Sequence, residues 1–156
     1  MALAVEERER AERVLRQRLV GSTYTAVSLG DVWALCFDGA WIVAQDIRSP
    51  DEKSISVALS TTRMLNADSV DAEQVPVAVA VLANRRQVIS ELLIGNDAAL
   101  KIVFANGQEL YFPTATDVVD WQWALTRHGN DPHAGFLVAC FWPGKIEFSD
   151  DTVAQL

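Results

Sequence analysis

The feature of this sequence that most limits its fold is a repeated hairpin pattern. A short apolar run ends near Phe, a turn containing Gly follows, and a second apolar run returns. The pattern occurs at residues 31–43 (DVWALCFDGAWIV), 98–112 (AALKIVFANGQELYF) and 136–148 (FLVACFWPGKIEF). Short runs rich in β-branched and aromatic residues, joined by tight Gly turns, favour antiparallel strands. The chain is therefore predicted to consist mainly of antiparallel hairpins.

The first hairpin belongs to a predicted three-stranded meander over residues 24–29, 32–37 and 40–45. Ahead of it, residues 6–19 contain strong helix formers, no Gly or Pro, and apolar side chains at helical spacing. This pattern predicts an amphipathic helix that ends near Gly21. Residues 55–59 are predicted to add a fourth strand after the polar stretch 48–54.

Two readings of residues 75–82 (VPVAVAVL) stay open at this stage. The length of the run and its valine content favour a strand. Comparison with the first half favours a helix, because the run stands before the second meander as residues 6–19 stand before the first. This comparison suggests an internal duplication with pseudo-repeats 1–65 and 66–148. Repeated hairpins in an ordinary antiparallel sheet would look the same.

Together these patterns predict an α+β fold. It comprises a twisted antiparallel sheet of about six to nine strands built from meanders, with the N-terminal helix over one face or edge. The chain of 156 residues is 50% hydrophobic and is predicted to form a single domain over 1–156.

No apolar run is long enough for a membrane span, and residues 1–19 lack the order of a secretory signal. A cytoplasmic location is therefore predicted. Cys36 and Cys140 lie in apolar runs and are predicted to be reduced core thiols.

The charge of the chain is concentrated outside the first helix. Residues 1–19 carry five Arg and four Glu, whereas the remainder holds 8 basic and 17 acidic residues, a net charge of −9 against −8 for the whole chain. Such a surface repels phosphate backbones and anionic lipid heads, so nucleic-acid and membrane partners are not expected. The same field attracts a basic protein, although acidity can also serve solubility alone.

Common catalytic and cofactor motifs are absent from the sequence. The sequence has no Gly-rich phosphate loop, no Gly-x-Ser-x-Gly elbow, no Cys-x-x-Cys and no His-Glu-x-x-His. It is therefore predicted to be non-enzymatic and to need no cofactor. The one compact polar cluster, residues 127–133, offers His128, Asp131 and His133 as weak metal ligands, but its Gly, Asn, Asp and Pro are those of a surface turn. No metal site is predicted.

Two tryptophans lie close together in residues 117–127 (DVVDWQWALTR). Trp121 and Trp123 alternate with Gln122, so both indoles should share one face of a strand. Burial in the core is one interpretation. The other is an exposed anchor for a partner, because tryptophans beside acidic residues make strong contacts in protein interfaces.

The order of these segments resembles a group of small, uncharacterised bacterial β-rich domains. The resemblance rests on the first Phe-x-Gly hairpin, LKIVFANGQEL at 100–110, Trp121-Gln-Trp, and VACFWPGKIEF at 138–148. It covers about two thirds of the chain and transfers no functional residue; where those domains tend to have a Pro-Gly-Gly turn, this chain has Trp142-Pro-Gly-Lys. Some such domains are immunity-like partners of secreted toxins.

The sequence thus predicts an acidic binding protein of the immunity type, which neutralises a basic toxin by covering its active surface. The expected partner-binding residues are acids near turns and around the Trp pair, namely Asp117, Asp120, Trp121, Asp150 and Asp151. Two alternatives stay open. One is a β-sheet protein whose aromatic interior holds a small apolar ligand, and the other is a homo-oligomeric structural module.

Overall fold

The computed structural model describes residues 4–61, 72–127, 129 and 131–149. These ranges contain two 3-10 helices, Ala72–Gln74 and Pro132–Ala134, and three α-helices, α1 (Val5–Leu19), α2 (Glu52–Leu59) and α3 (Val75–Ala83). The strands are β1 (Ala26–Leu29), β2 (Trp33–Phe37), β3 (Ala40–Ala44), β4 (Ile89–Ile94), β5 (Leu100–Phe104), β6 (Glu109–Phe112), β7 (Trp121–Thr126), β8 (Val138–Phe141) and β9 (Lys145–Phe148). Every pair of neighbouring strands is antiparallel. The predicted α+β class is confirmed.

The strands form three meanders that assemble into two sheets. One sheet has six strands in the order β1-β2-β3-β7-β8-β9, and the other has three in the order β4-β5-β6. The predicted first meander is therefore confirmed, and the later hairpin patterns correspond to β5-β6 and β8-β9. A helix precedes both the first and the second meander, α1 and α3 respectively. That order agrees with the pseudo-repeats, whose origin by duplication stays a prediction.

Side chains from both sheets and from α1 and α3 share one buried cluster. Trp123 belongs to the six-stranded sheet, and its Nε1 donates to the Ala98 carbonyl in the β4-β5 turn at 2.9 Å. The same turn approaches the β8-β9 turn so closely that a Cβ on Gly144 would lie 2.7 Å from the Asp97 carbonyl oxygen. Only glycine fits there, which explains the Pro-Gly of the third hairpin pattern.

Helix α1 covers the outer edge of β4. Its buried face consists of Ala11, Val14, Leu15 and Leu19. Beside this face, Glu12 Oε1 accepts from the Ile94 amide at 2.8 Å, and Arg16 Nε donates to the Leu92 carbonyl at 3.1 Å. Charged side chains of the helix thereby satisfy backbone groups that a free edge strand would leave exposed.

The prediction of a strand at residues 55–59 is wrong, because this segment forms the end of α2. The helix start is encoded in Ser49-Pro-Asp-Glu. The Ser49 amide donates to Glu52 Oε2 at 2.9 Å, and the Asp51 amide donates to the Ser49 hydroxyl at 3.1 Å. This Ser-x-x-Glu start signal outweighs the β-branched residues that follow it.

The open question at residues 75–82 is resolved as helix, since they lie in α3. Pro76 stands in the first turn, where its missing N–H costs no hydrogen bond. In the part of the chain that the structure describes, no helix combines the length and apolarity needed to cross a bilayer.

Candidate functional site

The loop between β6 and β7, residues 113–120, is held in place by one buried amide side chain. Gln122 is fully buried. Its Oε1 accepts from the Thr116 amide at 3.1 Å and the Thr116 hydroxyl at 2.8 Å. Its Nε2 donates to the carbonyls of Val118 at 2.7 Å and Asp120 at 3.0 Å. The amide therefore holds the backbone of residues 116–120, from which the Asp117 side chain projects.

One side of this loop borders a cavity of about 500 Å³, which we call the acidic cleft. Its walls come from four segments: Trp33 of β2, the chain after β3, the 3-10 helix Ala72–Gln74 with the start of α3, and the 113–120 loop. Trp33, Ile47 and Val77 supply buried apolar surface. The charged lining consists of Asp46, Glu73 and Asp117 with Arg48, a net charge of −2.

Arg48 offsets only one of the three negative charges of the acidic cleft, and its guanidinium is already shared between two carboxylates. Its Nε lies 2.9 Å from Asp46 Oδ2 and its Nη1 lies 3.0 Å from Glu52 Oε1. The bond to Glu52 raises the pKa of Arg48. Its backbone is also fixed, by amide–carbonyl bonds with Tyr111 of 2.7 and 2.8 Å. Arg48 is thus a rigid part of the wall.

Asp46 is the most desolvated acid of the cleft. Burial raises the pKa of its carboxyl above the ordinary value, while the charge and hydrogen bond of Arg48 act in the opposite direction. A raised pKa means that the charged carboxylate is less stable in the folded protein than in water. An additional cation placed in the cleft would relieve that cost.

Glu73 and Asp117 are exposed, and neither forms an ion pair with another described residue. Acids elsewhere on the described surface often have a cationic neighbour. The pairs are Glu12 and Glu91 with Arg16, Glu109 with Lys101, and Glu147 with Lys145. In those places each carboxylate lies 3.2 to 3.7 Å from a cationic side chain, whereas Glu73 and Asp117 have no such neighbour among the described residues.

The other end of the loop carries Asp120, which the structure places against His133. The Oδ2 atom of Asp120 lies 3.0 Å from His133 Nε2. This hydrogen bond lowers the pKa of Asp120 and raises the pKa of His133. The predicted residues Asp117 and Asp120 thus stand on one loop but in different settings, Asp117 in the cleft and Asp120 in a pair.

The prediction that Trp121 and Trp123 share a face is wrong. A β-bulge shifts the pairing of β7 with β8 between these two residues, and an inserted residue reverses the alternation of side chains. Trp123 lies in the main core, and Trp121 lies in a separate buried cluster with Ala34, Val43, Ala124 and Ala139. Trp121 is only 7% exposed, so it offers a partner little more than its edge.

Exposed apolar side chains nevertheless lie beside the 113–120 loop. Val119 is 73% exposed and Trp142 is 42% exposed. The Trp142 amide donates to the Asp120 carbonyl at 2.9 Å, which fixes the Trp142 backbone next to the end of the loop. The exposed tryptophan near the acids is therefore Trp142 and not Trp121.

The remaining predicted positions fall into two groups. Asp150, Asp151 and the weak metal candidate His128 lie outside the described residues. Of the other two metal candidates, Asp131 accepts from the His133 amide at 3.0 Å, and His133 pairs with Asp120. Within 4–61, 72–127, 129 and 131–149, no three His, Cys, Asp or Glu side chains are grouped so that they could hold a metal ion.

Both cysteines are free, Cys36 on β2 and Cys140 on β8. Burial raises the pKa of Cys36, and it raises the pKa of Cys140 to about 12, with a smaller contribution from Asp97. Thiols with raised pKa values carry little thiolate at neutral pH. These residues are thus poor candidates for a nucleophile.

Sequence reasoning missed Asp46, Glu73, Gln122 and Trp142 as parts of this surface. Asp46 and Glu73 reach the cleft only through the packing of the chain after β3 against the start of α3, which no local pattern encodes. Gln122 did carry a signal, since it is the polar residue of a predicted buried strand, and buried amides need several partners.

Comparison with known proteins gave no match to a family model, a curated protein or a solved structure.

Proposed function

We propose that this chain is a non-enzymatic protein that binds a basic protein partner and receives a cationic side chain of that partner in the acidic cleft. The observation that carries the proposal is the presence of Glu73 and Asp117, without cationic neighbours among the described residues, in one cavity with the partly desolvated Asp46. The net charge of −8 adds a long-range attraction for such a partner.

The dimensions and chemistry of the cleft suit a lysine or arginine side chain. About 500 Å³ is ample for one side chain with its hydration. The accessible apolar surface of Pro113, Ala115 and Val118 can contact the methylene stem, while the carboxylates receive the charged end. A carboxylate and a guanidinium form paired, charge-assisted hydrogen bonds, which are among the strongest in proteins.

The 113–120 loop extends this contact beyond the cleft. Val119 and Trp142 would give the partner apolar area next to the charged contact, and exposed aromatic residues often dominate interface energetics. Gln122 fixes the loop before a partner arrives, which reduces the ordering entropy lost on binding. This arrangement supports stoichiometric occlusion, as in an immunity protein that neutralises a basic toxin.

The proposal is tested by affinity capture with matched variants. The immobilised chain is exposed to extracts of its source cell and to the products of neighbouring genes, in parallel with the Glu73→Gln/Asp117→Asn double variant. We expect the unmodified chain to retain a basic protein that elutes as salt rises, and the double variant to lose it. If the captured protein is a toxin, its activity should fall to zero at one equivalent of the chain.

The control is a double variant with the same change of charge at a distance from the cleft, Glu7→Gln/Glu147→Gln. It should retain the partner. Equal losses in both double variants would show that only net charge matters, and capture of an acidic protein, or of none, would contradict the proposal.

The alternative of a small apolar ligand inside the sheet gains no comparable support. Trp123 is fully buried, and side chains of both sheets contact one another in a single cluster. The aromatic interior is therefore occupied by the protein's own core residues.

A further inference from the structure

The two sheets have four outer edges, and three of them are covered or blunted. α1 lies over β4, and its Glu12 and Arg16 bond to the β4 backbone. On the outer side of β6, two backbone hydrogen bonds join Arg48 to Tyr111. These contacts are of the kind by which proteins prevent a sheet from pairing with another chain.

The edge formed by β9 is protected by charge and by α1. Lys145 and Glu147 place charges along this strand and pair with each other at 3.2 Å. The Arg10 guanidinium of α1 lies 4.0 Å from the ring centroid of Phe148. Incoming strands would have to displace the helix and desolvate the charges.

β1 is different, because β2 pairs with one side of it and no described strand pairs with the other. Its sequence, Ala-Val-Ser-Leu, has no charged residue, and Leu29 is 44% exposed. Neutral, solvent-exposed edge strands with free backbone groups are ready to accept a further strand. The open edge stands out in a molecule that covers its other edges.

We propose that β1 is the contact through which two copies of this chain associate, β1 against β1 in antiparallel orientation about a two-fold axis. The proposal is independent of the basic partner and of the acidic cleft. It joins two six-stranded sheets side by side. A two-fold contact of this kind uses the same strand twice, which is how most homodimers form.

The charges at the two ends of β1 favour a second copy of this chain as the partner that pairs with the β1 edge. At the start of the strand, Arg85 Nη1 donates to the Thr25 carbonyl at 3.3 Å and the Arg86 amide donates to the Tyr24 carbonyl at 3.1 Å. Two residues after the end of the strand stands the exposed Asp31.

Antiparallel pairing brings the start of each strand beside the end of the other. If the two-fold axis passes through the Ser28–Ser28 pair, Val27 lies opposite Leu29 and Thr25 lies level with Asp31 of the second copy. Arg85 and Asp31 would then form two equivalent ion pairs across the axis. The neutral middle of the strand meets itself without like-charge repulsion.

Sedimentation velocity over a wide range of protein concentration tests this contact. We expect a monomer–dimer equilibrium that Ser28→Lys shifts to monomer by more than about tenfold, since it places two lysines near the axis. Ser28 is exposed, so the variant should keep its fold. Amide exchange in 26–29 should slow as the dimer forms.

Charge reversal tests the orientation. Asp31→Arg and Arg85→Glu should each weaken the dimer about threefold to tenfold, and the double variant should recover most of the loss. Lys53→Glu, on the exposed surface of α2, is the control and should change nothing. The proposal is overturned if the chain stays monomeric up to about millimolar concentration, if Ser28→Lys leaves a dimer intact, or if the double variant fails to recover.

Discussion

The acidic cleft and the contact between α1 and β4 are both rich in carboxylates, but they use them differently. At the α1–β4 contact, Glu12 accepts a backbone hydrogen bond and also lies 3.6 Å from Arg16, which in turn lies 3.7 Å from Glu91. In the cleft, Glu73 and Asp117 have no such partner among the described residues, and only Asp46 is paired.

The two regions differ in the pairing of their acids and not in the number of acids. Carboxylates paired within the fold contribute to the structure, and an incoming cation gains little from them. Unpaired carboxylates in a cavity keep most of their attraction for a cation from outside.

The largest effect is expected from Gln122→Leu, which removes the amide that fastens the 113–120 loop. The variant leaves the Thr116 amide and the Val118 carbonyl without their partner, and the Asp120 carbonyl keeps only the Trp142 amide as donor. We expect a loss of about 3 kcal/mol in the free energy of unfolding, measured by urea denaturation. Gln108→Ala, at an exposed position, should cost less than about 0.5 kcal/mol. Equal stability of the two variants would refute the role given to Gln122.

At the α1–β4 contact, Glu12→Ala should lower stability and leave the binding of a basic probe unchanged. The Ile94 amide would lose its acceptor, at a cost of about 1.5 kcal/mol. Glu7→Ala removes an exposed acid from the same helix and should be nearly neutral. Thermal or urea unfolding measures the first effect, and titration with a tetra-arginine peptide measures the second. A large loss of peptide binding in Glu12→Ala would break the distinction between the two regions.

In the acidic cleft, Glu73→Gln/Asp117→Asn should lower the affinity for a basic probe and leave stability nearly unchanged. Both side chains are exposed and unpaired among the described residues, so stability should change by less than about 0.5 kcal/mol. Affinity for the tetra-arginine peptide should fall about tenfold at low salt and less at high salt. Calorimetric titration at two salt concentrations checks both statements. A destabilised double variant would mean that these acids serve the fold.

The smallest effect concerns Asp46, whose pKa burial raises. An acid with a raised folded-state pKa costs stability above that pKa, and the cost disappears as pH falls below its ordinary value. Asp46→Asn should therefore be slightly more stable than the unmodified chain at neutral pH, with the difference shrinking in acid. Peptide affinity of the unmodified chain should decline as pH falls through the raised pKa. Denaturation and titration over a pH series measure the two trends, and opposite slopes would contradict them.

Much of the fold could be predicted because its signals are local. Gly turns and alternating apolar residues identified the β1–β3 meander and the later hairpins, and helix formers at helical spacing identified α1. The strand prediction at residues 55–59 is wrong because their β-branched residues favour a strand, whereas Ser49-Pro-Asp-Glu forms the turn from which α2 begins. Residues 75–82 could not be assigned, because a short apolar run has no decisive period.

The candidate site was less predictable, because it depends on packing. Asp117 was identified from its position near a turn, but Asp46 and Glu73 join it only in the folded chain. The bulge between Trp121 and Trp123 separates two side chains that strict alternation would place together. The exposed tryptophan could not be told from the buried ones without the structure.

The most direct test of the account is to map where a cationic peptide binds. We propose a titration of the isotope-labelled chain with tetra-arginine, followed by amide and side-chain chemical shifts. We expect the largest changes at Asp46, Glu73 and Asp117 and along the 113–120 loop, and we expect them to vanish in Glu73→Gln/Asp117→Asn. Changes centred on the acids of α1, or spread evenly over all acidic residues, would contradict it.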